Sequence, residues 1–95
     1  LSASPPSFEL NPMKKKILAA KGGCVIIECK PKAAPKPKFS WSKGTELLVN
    51  GSRIHIWDDG SLEIINIKKL DEGRYTCFAE NNQGKANSTG VLEMT

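Results

Sequence analysis

Short alternating runs separated by turn residues make up most of the chain. Val25-Ile26-Ile27-Glu28-Cys29 puts Val25, Ile27 and Cys29 on one face of a strand, which leaves Cys24 on the other. Tyr75, Cys77 and Ala79 repeat that spacing, and Phe39 and Trp41 share an inward face in Phe39-Ser40-Trp41-Ser42. Further strands are predicted over Glu46 to Val49, over Arg53 to Trp57, and along Leu62, Ile64 and Ile67, where the alternation slips near Asn66. Lys43-Gly44, Asn50-Gly51 and Asp58-Asp59-Gly60 read as the turns between them, and the tail from Lys85 to Thr95 closes the sheet. Turn signals recur every 8 to 12 residues or so and no helical periodicity survives a count, the pattern of an antiparallel sandwich.

Prolines decide where strands cannot be central. Residues 1–7 carry Pro5 and Pro6 among small polar residues and read as a linker from a preceding domain, with one domain over residues 8–95. Phe8 is expected to begin the first strand. Asn11-Pro12 interrupts it and Ile17-Leu18-Ala19-Ala20 resumes it, so the edge strand is split and each part serves one sheet. Pro31, Pro35 and Pro37 rule out a central strand between Lys30 and Lys38 and predict a stiff loop.

Composition bounds the function more than it names it. With 95 residues and 39% hydrophobic content, the chain supports one compact domain that buries about 60 to 65% of its unfolded surface. The net charge of +4 comes from lysine rather than arginine, and no finger, basic helix or RNA-binding pattern is present, so a nucleic-acid module is not expected. No apolar run approaches the roughly 18 residues of a membrane helix. The start has no charged-then-apolar signal, so a secreted parent makes this an excised piece.

One stretch carries a specific signal. In Asp71-Glu72-Gly73-Arg74-Tyr75-Thr76-Cys77, a tyrosine two residues before a cysteine with an Asp and a Gly leading in resembles the tyrosine corner of an immunoglobulin sandwich. That resemblance demands an earlier cysteine with a tryptophan after it, and Cys29 and Trp41 supply them. With Asp58-Asp59-Gly60-Ser61-Leu62-Glu63-Ile64 and Ala79-x-Asn81-x-x-Gly84, nearly the whole chain is similar to an I-set immunoglobulin domain. The implied fold is all-β, an immunoglobulin-like antiparallel sandwich with Greek-key connections. It implies a Cys29–Cys77 disulfide, which closes a long loop worth roughly 4 kcal/mol. It implies Trp41 and Tyr75 in the core and corner, and a structural ion pair between Arg53 and Asp71 beneath the corner.

The wording narrows further. Phe8-Glu9-Leu10-Asn11-Pro12-Met13, the run Glu28 to Pro37, Trp41-Ser42-Lys43-Gly44-Thr45-Glu46 and Tyr75 to Asn82 resemble a membrane-proximal repeat of the contactins, the fifth by our reading. Contactins are neuronal adhesion molecules with six immunoglobulin and four fibronectin type III repeats on a GPI anchor. The resemblance therefore implies a non-catalytic, cofactor-free module at the cell surface. Its expected partners are neighbouring immunoglobulin and fibronectin repeats in cis and other adhesion proteins through the parent ectodomain.

The remaining candidates are weighed singly. Asn50-Gly51-Ser52 and Asn87-Ser88-Thr89 are N-glycosylation acceptors, two where the composition gives about 0.8 by chance. Cys24 departs from the contactin pattern and is expected to be a free edge thiol, with intermolecular pairing the competing reading. His55 has no ligand or nucleophile at a usable spacing and is expected to be an exposed strand residue; neither metal nor catalysis is expected. Trp57 is either partly buried or an interface aromatic. Lys14-Lys15-Lys16 with Lys30, Lys32, Lys36 and Lys38 could attract sulfated glycans weakly, although solvated loop charge accounts for them. The alternatives to an adhesion module are a muscle-filament spring with reduced cysteines and a receptor domain that binds heparan sulfate.

Overall fold

A computed structural model describes residues 2–95, and Leu1, the first residue of the expected linker, lies outside the described residues. In chain order the strands are β1 (Ser4–Ser7), β2 (Lys16–Ala19), β3 (Val25–Ile27), β4 (Lys32–Ala34), β5 (Lys38–Lys43), β6 (Glu46–Leu47), β7 (Ile54–Ile56), β8 (Leu62–Ile64), β9 (Gly73–Asn81) and β10 (Gly84–Met94). A 3-10 turn, Lys69–Asp71, precedes β9. One sheet runs β2-β10-β9-β5-β6, the facing sheet β3-β8-β7, and β1 pairs with β4 as a separate ribbon. The chain crosses between the two main sheets after β2, β3, β6 and β8, which gives the sandwich its Greek-key path.

The alternation decides what is buried. Cys29, Trp41, Leu62, Ile64, Ile67, Tyr75, Cys77, Ala79 and Leu92 have at most 1% of their surface exposed, while Ile26 and Phe78, one residue out of phase, face solvent. The slip between Ile64 and Ile67 has a backbone cause. Asn66 takes a left-handed conformation at φ 52°, so two residues three apart both reach the core. Ile67 then exchanges backbone bonds with the Gly22-Gly23 turn.

Proline is involved in the largest departures from the sequence expectation. The first strand is Ser4–Ser7, inside the stretch read as linker, and Phe8 lies just past its end. Two prolines fit there because the strand belongs to a two-stranded ribbon and is not central. The loop expected from Lys30 to Lys38 contains its partner, the three-residue β4, closed off by Pro31 and Pro35. The side-chain amide of Asn81 donates to Ser4 O at 2.9 Å and to Pro35 O at 3.0 Å, tying the ribbon to the end of β9. The edge strand is split as expected, but β1 meets β4 rather than the β3 sheet, and β2 runs parallel to β10 within an otherwise antiparallel sheet. Close approach there depends on Gly90, where a Cβ would lie 2.3 Å from Lys14 O. The strand expected over Glu46 to Val49 stops at Leu47.

Candidate functional site

The centre of the sandwich is a covalent and aromatic plug. Cys29 and Cys77 are disulfide-bonded with a Cα–Cα distance of 6.4 Å, and both are fully buried. Trp41 sits opposite Cys77 in the β5–β9 register, and its indole N–H donates to Gly60 O at 2.9 Å. Gly60 is held at φ +97°, and a Cβ on it would lie 2.7 Å from both Cys29 O and the Phe39 ring. The Asp58-Asp59-Gly60 turn therefore needs its glycine for two reasons, backbone conformation and space.

The tyrosine corner closes one end. Tyr75 donates its phenol hydrogen to Asp71 O at 2.6 Å, and burial, reinforced by the Asp71 charge, pushes its pKa up to about 12. Arg53 pairs with the Asp71 carboxylate through Nη2, and its Nε–H donates to Ile65 O at 3.2 Å. Asp71 also accepts the Lys68 amide at 2.7 Å, so a carboxylate whose residue is only 4% exposed has both a charge partner and a backbone donor. One residue on, Glu72 meets Lys69 Nζ at 2.7 Å and accepts the Met94 amide at 2.9 Å; these contacts, the lysine first, lower its pKa.

Both asparagine acceptors face solvent. Asn50 uses Oδ1 to accept the Ile56 amide at 2.7 Å, and Asn87 stands on the outer face of β10. Cys24 is exposed and free. His55 and Trp57 are both exposed, their ring centroids 4.1 Å apart at 67°, and the indole N–H of Trp57 reaches Glu63 Oε1 at 3.3 Å. Among the described residues, no three His, Cys, Asp or Glu side chains converge as a metal site, and no helix is long and apolar enough to cross a membrane. Lys14, Lys15, Lys16, Lys30, Lys32, Lys36 and Lys38 are spread along separate segments, and two of them are already paired, Lys16 with Glu93 at 3.3 Å and Lys30 with Glu28 at 3.4 Å.

Sequence reasoning did not single out three structural features. Phe78 is 39% exposed between two buried residues, and the parity that placed Cys77 and Ala79 inward already pointed it outward. Asn81 stood in the motif Ala79-x-Asn81-x-x-Gly84, but nothing in the sequence showed which carbonyls its amide would clasp. Leu18 and Ile26, both over half exposed, line a groove of about 690 Å³ between residues 10–18 and 25–30, which opens because β3 has no partner on that side.

Comparison with known proteins agrees with this geometry. Residues 6–94 match the immunoglobulin I-set domain. The chain is 95% identical over 93 residues to Contactin-1 of Gallus gallus, with 98% of this chain covered. It is 81% identical over 90 residues to Contactin-1 of Homo sapiens and 56% identical over 94 residues to Contactin-2 of Homo sapiens, covering 95% and 99% of this chain. It spans about 9% of the length of each of these relatives. Among solved structures, the N-terminal four immunoglobulin domains of Dscam1 give a TM-score of 0.88 at 25% identity over 100% of this chain and 26% of that one. An I-band fragment of titin also gives 0.88, at 27% identity over 98% of this chain and 33% of that one. The plug, the corner and the family match lead to one assignment: the chain belongs to the immunoglobulin I-set family, as a non-catalytic module similar to an immunoglobulin domain of the contactins.

Proposed function

We propose that this module is the fifth, membrane-proximal immunoglobulin repeat of a contactin-like, GPI-anchored adhesion protein on the neuronal surface, with a role in axon growth and guidance. It acts as a rigid spacer between distal ligand-binding domains and fibronectin type III repeats near the membrane. Partners are engaged by the parent ectodomain, whose neighbouring repeats pack against this one in cis. The observation that carries this reading is the 95% identity to a contactin over 93 residues. The exposure of Asn50 and Asn87 adds support, because a glycan on either is attached outside the core and leaves it intact.

Intact mass of the chain secreted from eukaryotic cells, alkylated under denaturing and non-reducing conditions, tests the proposal. One adduct plus glycan mass supports an oxidised, extracellular module with a free Cys24. Three adducts and no glycan overturn it in favour of the intracellular spring suggested by the titin likeness. Weak sulfated-glycan binding by the lysine loops is a separate reading, and heparin retention lost by about 0.2 M salt reduces it to unspecific charge.

A further inference from the structure

We infer that the outer face of the β5-β9-β10 sheet is a docking platform for the module's own glycan, with the Phe78 ring seating the first sugar attached to Asn87. This rests on the extracellular reading above and extends it from an acceptor site to a bound position. The register places Asn87 directly opposite Phe78, and both side chains are exposed on the same face. Directly opposed residues on an antiparallel pair have Cβ atoms about 4.5–5.5 Å apart. A sugar on Asn87 Nδ2 therefore begins beside the ring rather than reaching for it.

The neighbourhood leaves Phe78 39% exposed. Ser40 is the partner of Phe78 on β5, and Thr76 and Thr89, whose hydroxyls bond each other at 2.8 Å, form the next rung. All three are short, so Phe78 stands above them. On the other flank, Lys38, Glu80 and Lys85 lie side by side and give the floor a polar rim. Lys38, Ser40, Phe78, Glu80, Lys85 and Asn87 line a shallow groove of about 520 Å³.

The chemistry matches a pyranose. One face of an N-acetylglucosamine ring presents axial C–H groups, and the negative face of an aromatic ring attracts such polarised hydrogens while its apolar area leaves water. The sugar hydroxyls and acetamide at the edge meet the lysine and glutamate rim. A glycan held this way covers an exposed aromatic and removes this face from the surfaces available to protein partners.

The test uses the chain secreted from cells that make high-mannose glycans, trimmed enzymatically to a single N-acetylglucosamine. Ser52→Ala removes the other acceptor without touching the bond from Ile56 to Asn50. In that background, Asn87→Gln is expected to lower Tm by about 4–8 °C when Phe78 is present, the shift given by an aromatic contact of ordinary strength, and by less than about 1 °C beside Phe78→Ala. The acetyl methyl proton of the sugar is expected to shift upfield relative to the denatured glycoprotein, a ring-current signature readable without any Phe78 variant. Phe78→Leu, which keeps apolar bulk without a ring, is expected to abolish that shift and serves if Phe78→Ala fails to fold. A glycan mass on Asn87 with additive Tm changes and no ring-current shift overturns the docking while leaving the glycoprotein reading in place. No glycan mass on Asn87 overturns the docking, and the extracellular reading falls with it only if the parent chain also carries no glycan on Asn50 and takes three adducts.

Discussion

Removing Arg53 isolates the contribution of the buried ion pair. The Asp71 side chain is 6% exposed and that of Arg53 25%, so the carboxylate depends on the guanidinium and the Lys68 amide in place of water. Arg53→Met keeps the aliphatic stem and removes both the contact to Asp71 and the 3.2 Å bond to Ile65 O. Breaking a buried pair by deleting one partner costs about 3–5 kcal/mol, against about 0–1 kcal/mol for an exposed pair. The remaining solvent access of Arg53 puts the expectation at the lower end, about 3 kcal/mol. In a domain of this size that lowers Tm by about 12–24 °C. Urea unfolding of the two proteins, followed by Trp41 fluorescence at matched m-values, measures the difference. The double variant Arg53→Met, Asp71→Asn is expected to recover part of the loss, because the uncompensated charge is gone and the amide oxygen still accepts from Lys68. A single-variant loss below about 1 kcal/mol would place the pair among surface contacts and refute its structural role.

Two further outcomes test the corner and the turn. Tyr75 has its pKa raised in the folded state to about 12, so the stability it confers as a neutral phenol is complete below pH 10 and is lost as pH rises from about 10 to 12. The whole loss is about 2–3 kcal/mol at 1.36 kcal/mol per unit, and it appears as the alkaline difference between the parent and Tyr75→Phe, since the lysines titrate in both; parallel profiles above pH 10 would contradict it. Gly60→Ala is expected to cost at least about 2 kcal/mol and to change Trp41 emission, because its Cβ would meet Cys29 O and the Phe39 ring at 2.7 Å. A Cm shift equivalent to less than about 0.5 kcal/mol would mean that the turn reorganises freely.

The parts legible in the sequence are those where period and burial impose one answer. Val25, Ile27 and Cys29 against Cys24 and Ile26, and Tyr75, Cys77 and Ala79 against Phe78, follow from a side-chain period of two once one face must be dry. The pairing of Arg53 with Asp71 came from the family pattern, since no local rule brings residues 18 apart together. The β1–β4 ribbon was hidden because Pro5, Pro6, Pro31 and Pro35 suppress every strand signal. What ties it to β9 is a side-chain amide from Asn81, 77 residues beyond Ser4. The Phe78–Asn87 juxtaposition needed a register, and register is a property of two strands that neither displays alone.

The proposed spacer role is consistent with how the ends are tied. At one end Asn81 clasps the incoming ribbon to β9, and at the other Glu72 accepts the Met94 amide next to the start of β9, so both termini converge on the strand that carries Cys77 and Tyr75. The parallel β2–β10 pair adds a directional argument. Its register runs from Lys16 beside Val91 to Ala19 beside Met94, bracketed by bonds from Val91 N to Lys15 O at 2.8 Å and from Thr95 N to Ala19 O at 3.0 Å. Tension between the termini, once β1 has been drawn out of its ribbon with β4, pulls β2 backwards and β10 forwards along the same axis. The bonds between them are then loaded together in shear and do not open one at a time. An antiparallel pair pulled from one end would peel, whereas this arrangement resists until the whole patch yields. A spacer tied in this way is expected to keep its core closed under tension between its ends, and a single-molecule pulling trace that yields gradually instead of in one cooperative step would refute the shear argument.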